Sequence, residues 1–274
     1  MTEHLLEGDG GILARARIGM LALNAGASPL VNPVAFHHAA GSVWMTTSRS
    51  AVKVALLKRD PRAGFLVWSR ARHLLVQGRL EHFDPRSLSG QLRAVLSGPA
   101  FYLGLAGYAL KNAAYIGGYA LDAARMPVQW WPHNRVVIRL RPARALWMDM
   151  DPPPEPGPAG IPAAPIPVRR SLVGERSAYL CWRDEGVPSL VPVLWASRGA
   201  DLVVAQAAGA AAPPAPLPAA LVIESHRHLR ATRMRGVCLR GLLTPDEEAR
   251  EEVADRYQME AEGLGAGFAL GVRR

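Results

Sequence analysis

A chain of 274 residues, 49% apolar and 20% charged, is long enough for two packed domains and too apolar for a disordered segment. Its 32 basic against 23 acidic residues give a net charge of +9, yet the arginines are scattered along the chain rather than gathered on one helix face. With no zinc finger, recognition helix or base-stacking motif, that charge points to a small anionic ligand and away from nucleic acid.

Residues 3–14 are predicted to open the chain with a short helix, followed by strands at 18–24 and 29–38. Ala39-Ala40-Gly41 reads as a hairpin turn into a strand at 42–47, where Val43 and Met45 alternate with Trp44 and Thr46. The spacing of Val52, Leu56 and Leu57 predicts a helix over 50–58, stopped by the proline of Arg59-Asp60-Pro61. Strands at 63–69 and 73–83 follow. A helical region over 87–124 then interrupts the β pattern, with breaks expected near Gly98-Pro99 and Gly117-Gly118. Residues 94–110 of that region carry no charge. The run is shorter and richer in glycine than the roughly 20 apolar residues of a membrane span, so a buried or interfacial helix pair is expected.

A strand at 135–146 precedes residues 151–167, which hold eight prolines in 17 residues and cannot form sheet or helix interior. A polyproline path there would reach roughly 50 Å at about 3.1 Å per residue. Strands at 177–183, 188–197, 201–206, 219–225 and 229–243 lead to a closing helix over 245–263 with Thr244 as its N-cap. The expected organisation is a mainly β domain over 1–150 with a helical insertion at about 87–127, a linker over 151–167, and a second β domain over 168–274. Short strands with one crossing helix suit small barrels.

The two halves share a pattern. With Pro33 set on Pro192, residues 30–36 meet 189–195, 42–45 meet 201–204, 64–68 meet 220–224 and 76–80 meet 234–238. Each half then reaches an acid–proline pair, Asp84-Pro85 or Pro245-Asp246. Matches in one order indicate an internal duplication. Between them the halves diverge: Thr46-Thr47-Ser48-Arg49-Ser50-Ala51-Val52-Lys53 stands against Ala207-Ala208-Gly209-Ala210-Ala211-Ala212-Pro213-Pro214, which has no charge. The second copy is therefore expected to be degenerate.

A strand that ends in hydroxyls and enters a helix with two cations has the parts that hold a phosphate: free amides, oriented hydroxyls and positive charge. Elsewhere, His226 and His228 share a strand face, but two imidazoles are too few for a metal site. Trp130-Trp131-Pro132-His133 is read as an anchor for the insertion. Cys181 and Cys238 sit in predicted strands as small apolar side chains. With no apolar leader at the N-terminus, they favour a reducing cytoplasm. No catalytic side chain is assigned.

Residues 18–23, 29–34, Thr46-Thr47-Ser48-Arg49-Ser50-Ala51-Val52-Lys53 and Lys58-Arg59-Asp60-Pro61-Arg62 follow the order and spacing of one family. The chain resembles the pyridoxamine 5'-phosphate oxidase-like split-barrel flavoproteins, including their deazaflavin-dependent relatives. The resemblance covers residues 3–85, and 135–147 resembles the family's closing strand. It implies tandem split β-barrels forming an intrachain pseudo-dimer, with FMN or a deazaflavin coenzyme at a two-fold interface. One partner would supply the phosphate helix and the other part of the ring wall. By position Thr47, Ser48, Arg49 and Lys53 would hold the phosphate with Thr46 beside them, and Asn32, Pro33 and Val34 would edge the ring. Leu56 departs from the asparagine common in relatives. The implied activity is an oxidoreductase moving hydride or electrons between FMN and a small substrate, as a monomeric pseudo-dimer or a homodimer. The alternatives are a deazaflavin-dependent reductase, which the basic charge suits, and a non-catalytic flavin- or haem-binding protein.

Overall fold

A computed structural model describes residues 11–69, 72–122, 131, 134–149, 178–199, 201–207, 210, 212–225 and 235–272. After a single helical turn, α1 (Ile12–Arg15), come strands β1 (Ile18–Leu23), β2 (Leu30–Ala39) and β3 (Ser42–Ser48). Helix α2 (Val52–Arg59) leads to β4 (Arg62–Ser69) and β5 (Arg72–Phe83). Three helices follow, α3 (Leu88–Leu96), α4 (Pro99–Lys111) and α5 (Ala113–Asp122), before β6 (Arg135–Asp149). The six strands close an antiparallel barrel in the order β1-β2-β3-β6-β5-β4. The second half contains β7 (Ala178–Asp184), β8 (Val187–Arg198), β9 (Asp201–Ala207), β10 (Leu217–Ser225), β11 (Arg235–Pro245), helix α6 (Ala249–Tyr257) and β12 (Leu264–Val272). They close a second barrel in the same order, β7-β8-β9-β12-β11-β10. The fold is thus mainly β, two tandem barrels each carrying a helical insertion.

Several strands read as unbroken apolar runs because both of their faces are buried. In β1, Leu21 and Leu23 point into the first barrel, while Met20 and Ala22 point outward into a separate cluster. Strands β4 and β5 repeat this, sending Phe65 and Val76 inward and Leu66 and Leu75 outward. From the other barrel, Leu180 and Leu221 point inward, while Tyr179, Cys181, Leu190 and Val222 join the same outward cluster. The outward cluster is the seam between the barrels. Its cysteines are free and their thiols are pushed up by burial, which fits the apolar role expected of them.

The polar rim of the seam is pseudo-symmetric. Asn24 Nδ2 donates to Gly186 O (2.9 Å), Arg183 donates to Gly26 O, and Arg183 Nε donates to Asn24 Oδ1 (3.2 Å). Gln77 Nε2 reaches Pro188 O (3.2 Å), and Arg240, its counterpart, reaches Ser28 O (2.5 Å). Such exchange of equivalent contacts is what a two-fold interface produces.

Strand pairing tests the sequence alignment directly. Pro33 faces Met20 and Pro192 faces Tyr179; Met20 faces Leu66 and Tyr179 faces Val222, so Leu66 and Val222 are equivalent as expected. Met45 and Val204 are likewise equivalent, through Phe36 and Trp195. The fifth strands are not aligned as the sequence suggested. Leu75 faces Leu66 and Cys238 faces Val222, which makes Gly78 the counterpart of Gly241 rather than Gly236. Both glycines are required by close approach, because a Cβ would lie 2.0 Å from the Arg141 or Gly271 carbonyl oxygen.

Other boundaries also move. Thr244 and Pro245 end β11 instead of capping a helix; α6 starts at Ala249, whose N–H donates to Asp246 Oδ1 (3.2 Å). The expected helix to residue 263 stops at Tyr257, and β12 supplies the closing strand. That strand, Leu-Gly-Ala-Gly-Phe-Ala-Leu-Gly-Val, hides its alternation among small residues. In the insertion the second break falls at Asn112, which donates to Phe36 O (3.2 Å) and Tyr108 O (3.0 Å), and Gly117-Gly118 lies within α5. Residues 3–10, the linker 151–167, Trp130, His133, His226 and His228 lie outside the described residues. Among the described residues no helix is long and apolar enough to cross a membrane.

Gly64 sits where β4 meets the second barrel, and a Cβ there would lie 2.4 Å from Pro188 O. Gly64→Ala should therefore destabilise the protein by about 1–3 kcal/mol. Chemical denaturation compared with wild type checks this, and an unchanged midpoint would contradict the seam packing.

Candidate anion and ring site

Strand β3 carries Thr46, Thr47 and Ser48 to the rim of the first barrel, and a short turn delivers the chain into α2. The helix starts at Val52 with Ala51 as N-cap, so no side-chain oxygen caps it. The nearby hydroxyls of Ser48 and Ser50 bond each other (3.0 Å), and the Ala51 N–H donates to Ser48 O (3.1 Å). The Val52 and Lys53 amides meet no acceptor among the described residues. An uncapped N-terminus with free N–H groups and the positive end of the helix dipole favours an anion.

In front of it lies a cavity of about 480 Å³. Asn32, Pro33 and Val34 of β2 line one part; Thr46, Thr47, Ser48 and Lys53 line another. The structure thus gathers seven of the eight sequence-predicted residues around one space. Arg49 is the exception, since its Nη2 donates to Asp84 Oδ1 (2.5 Å) and it does not line the cavity. Arg135, paired with Ser48 across β3 and β6, lines the cavity instead.

The insertion completes the enclosure. Tyr108 of α4 and Tyr115 of α5 line the cavity, and Thr46 Oγ1 donates to Tyr108 Oη (3.1 Å). Arg135 Nε donates to Thr46 Oγ1 (3.1 Å) and Arg135 Nη2 to Thr46 O (3.2 Å), so the Thr46 hydroxyl orients both neighbours. A smaller chamber of about 280 Å³ adjoins, sharing Thr46, Tyr108, Tyr115 and Arg135 and walled otherwise by apolar side chains such as Leu105 and Ile116. Among the described residues, the second barrel contributes nothing to either lining. The lining described comes from the first barrel and the insertion, a segment the resemblance left unexplained.

Electrostatics sharpen the site. Among the described residues, Lys53 meets no carboxylate and none lines the cavity. Burial, helped by the Arg135 guanidinium, pushes its ammonium down to about 8. Among the described residues the second barrel shows no counterpart: no helix occurs between β9 and β10, and the sequence 207–217 contains no charged residue.

Sequence reasoning missed Arg135, Tyr108, Tyr115 and Ser50 as lining residues. Arg135 becomes visible only through strand register, and the tyrosines only through the docking of α4 and α5.

No family model matches the chain, and no curated protein does. Solved structures similar to it include a protein related to general stress protein 26, of the pyridoxinephosphate oxidase family, from Clostridium acetobutylicum. It is 13% identical, with a TM-score of 0.36, over 54% of this chain and 91% of that one. A FAD-binding protein from Mesorhizobium loti is 16% identical, TM-score 0.33, over 50% and 89%. An F420 reductase is 19% identical, TM-score 0.33, over 51% and 97%.

A lysine held at about 8 when folded and 10.5 when free binds fewer protons in the native state between those values. Stability therefore rises with pH across that window. The rise should be smaller in Lys53→Met than in wild type, measured as urea midpoints at pH 7.5 and 9.5. Equal rises would show that Lys53 is not perturbed.

Proposed function

We propose that the chain is a flavin-binding oxidoreductase of the pyridoxamine 5'-phosphate oxidase-like split-barrel class, holding one FMN-type cofactor in the first barrel. One observation carries this reading: Lys53, Arg135 and an uncapped helix N-terminus converge on one cavity that no carboxylate lines among the described residues. The sequence resemblance of residues 3–85 adds the identity of the anion, a cofactor phosphate.

The residues present fit such a group. Lys53, the Val52 and Lys53 amides and the Ser48 and Ser50 hydroxyls would take the phosphate. Asn32, Pro33 and Val34 would edge the ring system, and Tyr108 and Tyr115 would exclude water from it. A bound flavin supplies hydride or electron transfer to a small substrate, while the protein's part is anchoring, orientation and exclusion of water. The adjoining apolar chamber is where a substrate would sit.

An absorption spectrum of the purified chain, followed by titration with FMN and with a deazaflavin coenzyme, tests the proposal. Flavin, deazaflavin and haem absorb differently, so the spectrum also separates the alternatives. Removing one charged phosphate contact by Lys53→Ala should weaken FMN binding roughly tenfold to hundredfold. Wild-type affinity should fall from pH 7 to pH 9 as Lys53 loses its proton, and the variant should lack that dependence. A chain that binds neither coenzyme, or a Lys53→Ala variant that binds as wild type does, would refute the reading. Two cofactors per chain would refute the single site.

A further inference from the structure

The helical insertion turns its apolar side outward. Thirteen large hydrophobic residues are exposed among the described residues, and nine of them lie between Leu88 and Leu121. Helix α3 places Leu88, Leu92 and Leu96 at four-residue spacing on one face, with Leu88 85% and Leu96 76% exposed. Within α3, Gly90 alone is buried. An amphipathic helix that docks on its own protein does the reverse.

Helix α4 is apolar all round and has already used its inner face. Gly104 lies so close to the Trp44 indole that a Cβ would come within 2.3 Å of it, and Gly107 meets His37 in the same way. The opposite face presents Leu103 and Leu110, 63% and 79% exposed. A helix apolar on both sides needs a second apolar partner. Nine large side chains far exceed the singly scattered apolar residues normal on a monomer surface.

Charge decides between the occupants. From Arg86 to Leu121 the chain has no acidic residue, and its exposed cations are Arg86 and Arg93, Lys111 being turned inward to Leu13 O (2.7 Å) and the Phe36 ring. A second copy docked through this face by two-fold symmetry would bring like charges together. An anionic lipid surface meets both the cations and the apolar side chains. Length fixes the mode: the 13 residues of α4 span about 20 Å, short of a hydrocarbon core of about 30 Å. Helices of that length would lie in the interface rather than across it.

We propose that α3 and α4 form an in-plane docking face for anionic phospholipid bilayers. This rests on exposure and charge, and is independent of the cofactor reading.

The test is vesicle flotation of the full chain with phosphatidylcholine alone and with equal parts of phosphatidylcholine and phosphatidylglycerol. The expected result is at least tenfold stronger binding to the anionic vesicles. Leu92→Gln/Leu96→Gln/Leu103→Gln keeps every charge and alters exposed positions only, so it should fold, with an unchanged melting temperature, and lose that binding. Failure to bind anionic vesicles overturns the proposal. So does binding that survives the triple substitution, which would reduce the effect to net charge. Concentration-dependent dimers in wild type that the triple variant abolishes would assign the face to a second copy and also overturn it.

Discussion

Burial on both faces of the seam strands is the constraint on which the rest depends. Met20, Leu66 and Leu75 from one barrel meet Tyr179, Leu190 and Val222 from the other, while their sequence neighbours fill the two barrel interiors. A one-residue slip in any of these strands would exchange two cores at once, so register is fixed far more tightly than in a strand with one solvated face. Gly64 lets the backbones approach, and the reciprocal Asn24 and Arg183 contacts satisfy polar groups at the seam's edge. The arrangement makes one chain do what two do in a symmetric dimer.

Pseudo-symmetry also clarifies the insertion. In each half, the chain between the fifth and sixth strands forms helix that packs on the barrel. Lys111 of α4 lies 4.2 Å from the centre of the Phe36 ring, and Arg256 of α6 lies 3.8 Å from that of Trp195. Phe36 and Trp195 occupy equivalent places in their second strands. A cation over an aromatic ring thus docks helix to barrel on both sides. The difference lies in extent: α6 only covers the second barrel, whereas α4 and α5 continue over β3 and bring Tyr108 and Tyr115 to the cavity.

Much of the fold was legible because period-two alternation and proline positions are local signals. Part of the cavity lining was legible too, since Thr46, Thr47, Ser48 and Lys53 stand close together in the sequence. Arg135 was not: it stands 87 residues beyond Ser48 and reaches it through register alone. Arg49, sequence-adjacent to Ser48, belongs instead to an ion pair with Asp84, a partner 35 residues away. Strand β12 escaped because its glycines and alanines flatten the alternation, and the fifth-strand alignment failed because Gly236 imitates the Gly78 that Gly241 matches. Each miss is a tertiary fact overriding a local pattern.

The site itself breaks local rules in one direction. An N-cap that should be Ser or Asp is Ala51, two amides are left without acceptors, and a half-buried ammonium sits beside a guanidinium. Each of these is a local cost to the fold, and none is relieved by another part of the described chain. An anion in the cavity would relieve all three together. It would accept from the free amides, replace the missing cap and restore the Lys53 charge, taking up a proton above about pH 8. Binding would then stabilise the fold by linkage, in proportion to how far ligand concentration exceeds its dissociation constant. The strain local to α2 is therefore the strongest physical argument that this end of the barrel is built for a ligand, since packing alone gives no reason to keep it.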